Sequence, residues 1–219
     1  MSLRTRIKIC GLTRAVDVDA AVDEGADAVG FVLWAGSARC VTAARARELA
    51  RRLPPFVTPV GLFVNAADAE LAAAFDAVPH LVPQFHGDET PLACRQGARP
   101  YMRVARMTAG FDLLDFATQF SDAQAILLDA HVEGYGGGGK VFDWSLIPPG
   151  VPRPLVLSGG LHAKNVIHGI LQVRPWAVDV SSGVESAKGI KDAHAIRRFC
   201  AAVREADARR VDDTAAPVT

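Results

Sequence analysis

Four side chains in this 219-residue sequence have types suited to acid–base work or to gripping an anion: Cys10 in "KICGLT", Arg39 in "AGSARCVT", His86 in "QFHG" and Asp129 at the end of "AILLD". A thiol has an ordinary pKa of about 8.5 and acts as a general base once deprotonated. A buried cysteine serves equally well as a small apolar filler. A carboxyl that closes an apolar run is costly to bury unless it is paired, hydrogen-bonded or protonated, so Asp129 reads either as structural or as a general acid. Facing each other across one pocket, thiol and carboxyl would make an acid–base pair with environments that can differ. The planar fork of Arg39 suits a substrate carboxylate, although most rim arginines are simply solvated. His86 could donate to a substrate or order its own loop.

Three glycine-rich stretches add candidate anion sites. In "SGGL" (Ser158 to Leu161) and "SSGVE" (Ser181 to Glu185), glycines leave backbone N–H groups uncovered. A helix opening after such a turn adds partial positive charge, and together these make an anion nest at Gly159, Gly160, Ser182 and Gly183. The alternative is two ordinary tight turns. "GYGGGGKV" (Gly134 to Val141) has the glycine and lysine spacing of a nucleotide-binding loop, but Val141 stands where that loop needs a hydroxyl for magnesium. The following "VFDWSLIPPG" is too short and proline-ended to be the required helix. No G-x-S-x-G elbow of a serine hydrolase occurs.

The elements that must position these residues alternate along the chain. Short β-rich runs, "RIKIC", "DAVGFVL", "VTPVGLF", "HLVPQF", "PYMRVA", "AILLD", "PLVLS" and "WAVDVS", are separated by segments of helical period. Thr42 is placed to cap the second helix, Gly25 to end the first, and Pro83 argues against the fourth strand. Eight strand–helix units of even spacing predict an α/β fold, a single (β/α)₈ TIM barrel, rather than a doubly wound open sheet. In such a barrel the functional residues lie at the C-terminal ends of the strands, and phosphate often sits after strands seven and eight. The barrel domain is expected over 1–206. The polar "DARRVDDTAAPVT" carries no helical pattern and is read as a flexible tail over 207–219.

Composition narrows the function classes. Twenty-four Lys and Arg balance twenty-four Asp and Glu, so the net charge is zero and there is no global footprint for nucleic acid or membrane. Cys10, Cys40, Cys94 and Cys200 are far apart, with no zinc spacing, and read as reduced thiols. No signal peptide or membrane span is apparent, and a cytoplasmic protein without metal is expected. With no clear apolar face exposed by the pattern, a monomer is favoured over a homodimer.

Taken in order, "KICGLT", "GFV", "S-x-R" ending at Arg39, "VGLF", "QFHG", "ILLD", "GGGGKVFDW", "SGGL", "VDVSSGVES" and "GIKD" resemble the phosphoribosylanthranilate isomerase family of tryptophan biosynthesis. The resemblance runs from Lys8 to Asp192. It implies a (β/α)₈ barrel without metal or organic cofactor, acting on a small-molecule phosphosugar substrate by an Amadori rearrangement. It also implies Cys10 as general base, Asp129 as general acid, Arg39 at the anthranilate carboxylate, and His86 and Asp179 as substrate-binding. Phosphate would sit at Gly159, Gly160, Ser182 and Gly183. The loop Gly136, Gly137, Gly138, Gly139 and Lys140 is then expected to be mobile and to fold over the bound sugar. The sequence departs from the commonest family pattern at Cys40, Phe85, Gly138, Val141 and Ser158. Two rivals are an isomerase of the histidine pathway, disfavoured by Cys10 at the base position, and a non-catalytic phospho-ligand barrel, disfavoured by Cys10 and Asp129 together.

Overall fold

The computed structural model describes residues 4–130 and 141–215, with side chains as far as Arg210. The loop Gly136 to Lys140, read above as mobile, lies outside the described residues. Eight parallel strands close into a barrel in chain order: β1 (Arg6–Cys10), β2 (Ala28–Val32), β3 (Thr58–Phe63), β4 (Val82–Phe85), β5 (Met102–Met107), β6 (Ala125–Ala130), β7 (Leu155–Leu157) and β8 (Ala177–Val180). Helices α1 (Ala15–Asp23), α2 (Ala43–Ala50), α3 (Asp68–Ala77), α4 (Pro91–Arg95), α5 (Leu113–Gln119), α6 (Val166–Val173) and α7 (Ala193–Ala215) surround it. A one-turn 3₁₀ helix at Trp144–Leu146 takes the helix position after β6. No helix among the described residues is long and apolar enough to cross a membrane.

Strand period sorts every side chain. On β6, Ile126 and Leu128 join the layer beneath the helices, while Ala125 and Leu127 join a separate cluster inside the barrel with Val60, Met102, Val104, Val156 and Ala177. Full burial of each large aliphatic side chain contributes about 1.5–3 kcal/mol. The same alternation continues upward, so the polar residues that follow the apolar inner layer crown the barrel at its C-terminal end. Lys8 and Cys10 share one face of β1, Gln84 and His86 one face of the β4 end, and Leu127 and Asp129 one face of β6.

Thr42 caps α2 by accepting from the Arg45 N–H at 3.1 Å. Pro83 is tolerated inside β4. The His86 N–H donates to Phe63 on the β3 side, so by alternation the missing N–H of Pro83 falls on the β5 side, where pairing starts only at Gln84. Two features differ from the sequence reading. Helix α7 runs on through 207–215, the segment read as tail. There Asp207 accepts from the Thr5 N–H at 2.8 Å and the Thr5 hydroxyl at 2.6 Å, tying the helix to the chain entering β1. Beyond β8 the chain makes a 3₁₀ turn at Ser182–Val184 and an antiparallel hairpin of β9 (Glu185–Ala187) and β10 (Ile190–Lys191).

Candidate active site

A pocket opens at the C-terminal mouth of the barrel. Cys10, Trp34, Arg39, Gln84, His86, Asp129, Ser158, Gly159, Gly160, Asp179 and Ser182 line it. Every strand end except that of β5 thus contributes to one space, and every described residue expected at the site reaches it except Gly183, one residue beyond Ser182.

Cys10 sits on the β1 wall, buried, opposite Gly30 in the β1–β2 register. Gly30 is required there, because a Cβ would stand 2.6 Å from the thiol sulfur. Lys8, two residues earlier on the same face, is the register partner of Asp179 on β8, and their Nζ–Oδ1 distance is 2.7 Å with both side chains buried. Burial alone would lower the Lys8 pKa; Asp179 and the neighbouring Cys10 outweigh it and push the ammonium up to about 12. Burial pushes the Cys10 thiol up and Asp179 adds to this, while Lys8 and Lys191 pull it back.

Asp179, expected to bind substrate, is therefore also the carboxylate that neutralises Lys8. Its second oxygen accepts from the Ser158 hydroxyl at 3.1 Å. Ser158, one of the departures from the family pattern, touches a predicted site residue through this bond.

Arg39 reaches the pocket, but its guanidinium is committed along one edge. Nε and Nη2 donate to the two oxygens of Glu185 at 2.7 and 2.8 Å. Among the described residues its Nη1 has no partner. Glu185 also accepts from Lys191 Nζ at 2.9 Å. Burial would raise the Glu185 carboxyl; the bonds from Arg39 and Lys191 outweigh it and hold the group below the usual range. Lys191, fully inside, is lowered by burial against the pull of Glu185. The sequence reading had no reason to single out Lys8, Glu185 or Lys191. Lys8 and Glu185 stood within quoted motifs, and the "GIKD" motif ends the resemblance, but pairing over such sequence distances carries no local pattern.

The opposite wall is built differently. Asp129 is partly open to the pocket; its Oδ1 accepts from the next backbone N–H, Ala130, at 2.9 Å. Its Oδ2 lies 3.3 Å from His86 Nε2. The other ring nitrogen of His86 and the side-chain oxygen of buried Gln84 have no partner among the described residues. Two arginines of β5 hold the His86 loop. Arg103 donates to the Phe85 and Gly87 carbonyls at 2.8 and 3.0 Å, and Arg106 donates to the His86 carbonyl at 2.9 Å.

The two glycine turns meet at the third side of the pocket. Gly159 and Gly160 both have left-handed φ values, 77° and 62°. A Cβ on Gly159 would stand 2.7 Å from the Ala130 nitrogen, so the turn packs against the end of β6. A Cβ on Gly183 would overlap the Leu161 carbonyl, which brings the turn after β8 onto the turn after β7. No acceptor among the described residues takes the N–H groups of Gly159, Gly160, Ser182 or Gly183. The "SGGL" turn does not itself open a helix, as the sequence had suggested: α6 starts at Val166, after a turn closed by Asn165, whose side-chain oxygen takes the His162 N–H at 2.8 Å. The nest therefore rests on backbone amides and the 3₁₀ turn at Ser182 rather than on a long helix dipole.

A closed parallel barrel with thiol, carboxyl and imidazole groups at its C-terminal mouth defines the class, a (β/α)₈-barrel enzyme. Residues 7–202 match the family described as N-(5'phosphoribosyl)anthranilate (PRA) isomerase, and the chain belongs to that family. A relative of that name from Methylibium petroleiphilum is 75% identical over 207 residues, covering 94% of this chain and 97% of its own. The solved phosphoribosyl anthranilate isomerase from Thermotoga maritima superposes with a TM-score of 0.84 at 40% identity, covering 92% of this chain and 99% of that one. Another solved isomerase of this kind, in complex with reduced 1-(o-carboxyphenylamino)-1-deoxyribulose 5-phosphate, has a TM-score of 0.80 at 37% identity and the same coverage. The chain is an isomerase of tryptophan biosynthesis. It converts N-(5-phospho-β-D-ribosyl)anthranilate by Amadori rearrangement to 1-(2-carboxyphenylamino)-1-deoxy-D-ribulose 5-phosphate.

Proposed function

We propose that Cys10 is the general base and Asp129 the general acid of this rearrangement, with the substrate strung between two anion anchors. The observation that carries the assignment is that a thiol on β1 and a carboxyl on β6, strands well separated around the barrel, line one pocket, beside backbone amides that no acceptor among the described residues takes.

The chemistry needs this separation. Asp129 protonates the furanose ring oxygen, the ring opens, and a cationic imine forms at C1′. That charge acidifies the C2′ proton, which Cys10 removes as a thiolate. The resulting enolamine tautomerises to the ketone. Acid and base must act on neighbouring atoms from different sides, and strand ends on opposite walls satisfy this without backbone rearrangement.

The phosphate is held by the amides of Gly159, Gly160, Ser182 and Gly183, where no side chain intervenes. At the other end the substrate carboxylate meets Arg39 through Nη1, the nitrogen that Glu185 leaves over. The Glu185 bonds fix the plane of the guanidinium, so little order is lost on binding. His86 and Gln84 supply the polar floor beneath the sugar. Two distant anchors convert binding energy into alignment of C1′ and C2′.

The direct test is loss of substrate fluorescence on turnover by the purified protein. Cys10→Ala and Asp129→Asn should each lower kcat by a factor on the order of 10²–10⁴ while the folded circular dichroism spectrum persists. Near-normal turnover in both variants would overturn the assignment.

A further inference from the structure

The base in this reading must be anionic, yet it is buried. Its surroundings show what makes that tolerable. Two buried ion groups lie at the Cys10 end of the pocket: Lys8 from β1, on the same strand face as Cys10, with Asp179 from β8, and Glu185 from β9 shared by Arg39 from the loop after β2 and Lys191 from β10. All five are nearly or fully excluded from solvent. Three carry positive charge and two negative. Among the described residues Lys8 pairs with Asp179, and Arg39 and Lys191 share Glu185, so one positive charge is left over. Arg14 and Asp17, which bind the Lys191 backbone, form a separate neutral pair. Asp129 and His86 face Cys10 only from across the pocket, and in this mechanism Asp129 begins protonated.

Buried charge that lacks a counter-charge is strongly unfavourable. We propose that Lys8 and Lys191 are positioning residues for the thiol base, and that the Cys10 thiolate is the anion that completes this buried cluster. Burial holds the thiol up, and Lys8 and Lys191 are what ease its proton out to solvent; once it leaves, the cluster becomes neutral. Acid and base then start the cycle as a carboxylic acid and a thiolate, sharing one negative charge that moves across the pocket during the reaction. Ser158 and Asp179 keep Lys8 in place from the β7–β8 side.

The inference rests on the base assignment above, but it concerns the free enzyme and is testable without turnover. The pH dependence of Cys10 alkylation by iodoacetamide, followed on the Cys10 peptide by mass spectrometry, reports its thiolate fraction. Lys8→Met should move the midpoint upward by about one pH unit or more, and Lys191→Met should move it in the same direction. In both variants kcat/KM at neutral pH should fall about tenfold and recover as pH is raised through the shifted midpoint. A merely structural role would not produce that recovery. Should Lys8→Met fail to fold because Asp179 is left unpaired, Lys191→Met decides the matter, since Glu185 keeps Arg39. An unmoved alkylation midpoint in the folded variants would overturn the proposal. Such a result with a raised KM would mean that substrate anions, not the thiolate, answer the spare charge. Full turnover by Cys10→Ala, with the midpoint still shifted in the lysine variants, would instead sink the base assignment and leave the cluster standing.

Discussion

The two walls of the pocket solve opposite problems. On the β1–β8 wall, Cys10 is buried beside Lys8, and the ions at this end of the pocket pair with one another over 2.7–2.9 Å. On the β6 wall, Asp129 is partly open, takes one backbone N–H and leans on one imidazole. Its support is indirect: Arg103 and Arg106 grip carbonyls of the His86 loop rather than the carboxyl itself. A base that must lose its proton is served by nearby fixed cations. Among the described residues no Lys or Arg pairs with the Asp129 carboxyl, which suits a group proposed to give a proton. The difference between the walls parallels the difference between the two proposed roles.

This comparison can be broken in graded ways. The largest effect on stability is expected on the thiol wall. Glu185→Gln strips the shared carboxylate from Arg39 and Lys191, and should destabilise the fold by about 3–5 kcal/mol in urea denaturation. On the acid wall, Arg106→Met removes charge-assisted bonds to the His86 and Gly87 carbonyls and should cost about 1.5–3 kcal/mol. It should also lower kcat more than it changes KM, because the His86 loop is loosened beside Asp129. Equal losses of stability in the two variants would erase the asymmetry.

The pH dependence of stability should show the same contrast. Glu185 has a depressed folded pKa, so its contribution is present above the unfolded value of about 4.3 and is lost as pH falls through the folded one. Lys8 is raised to about 12, so its contribution is full below the unfolded value of about 10.4 and is lost as pH rises through the folded value of about 12. Urea midpoints measured across pH should therefore lose part of their acid limb in Glu185→Gln and part of their alkaline limb in Lys8→Met. The smallest effect is expected from Ser158→Ala, about 1 kcal/mol, since Asp179 keeps its bond to Lys8.

Much of this was legible in the residues. Alternating β-rich and helical runs marked all eight strands to within a few residues, because strand period and helix caps are local signals. The strand ends then named Cys10, Asp129, His86 and the two glycine turns. Pro83 misled locally, since only the ladder shows which side of a strand lacks a partner. The segment 207–215 misled as well: its helix is anchored by Asp207 on Thr5, from the far end of the chain. Lys8 looked like one more charged residue in "RIKIC", and nothing in that string says that its neighbour is Asp179.

By itself, then, the sequence determined the order and type of the elements, the barrel, the family and the candidate acid and base, because these follow from periodicity, turn chemistry and motif order. Only the tertiary structure decided that Arg39 is half occupied by Glu185, that the two glycine turns meet without a long helix behind them, and that Lys8 pairs with Asp179 while Arg39 and Lys191 share Glu185. Those are pairings between residues as far apart as Lys8 and Asp179. They are set by barrel closure and strand register, and no local pattern encodes either.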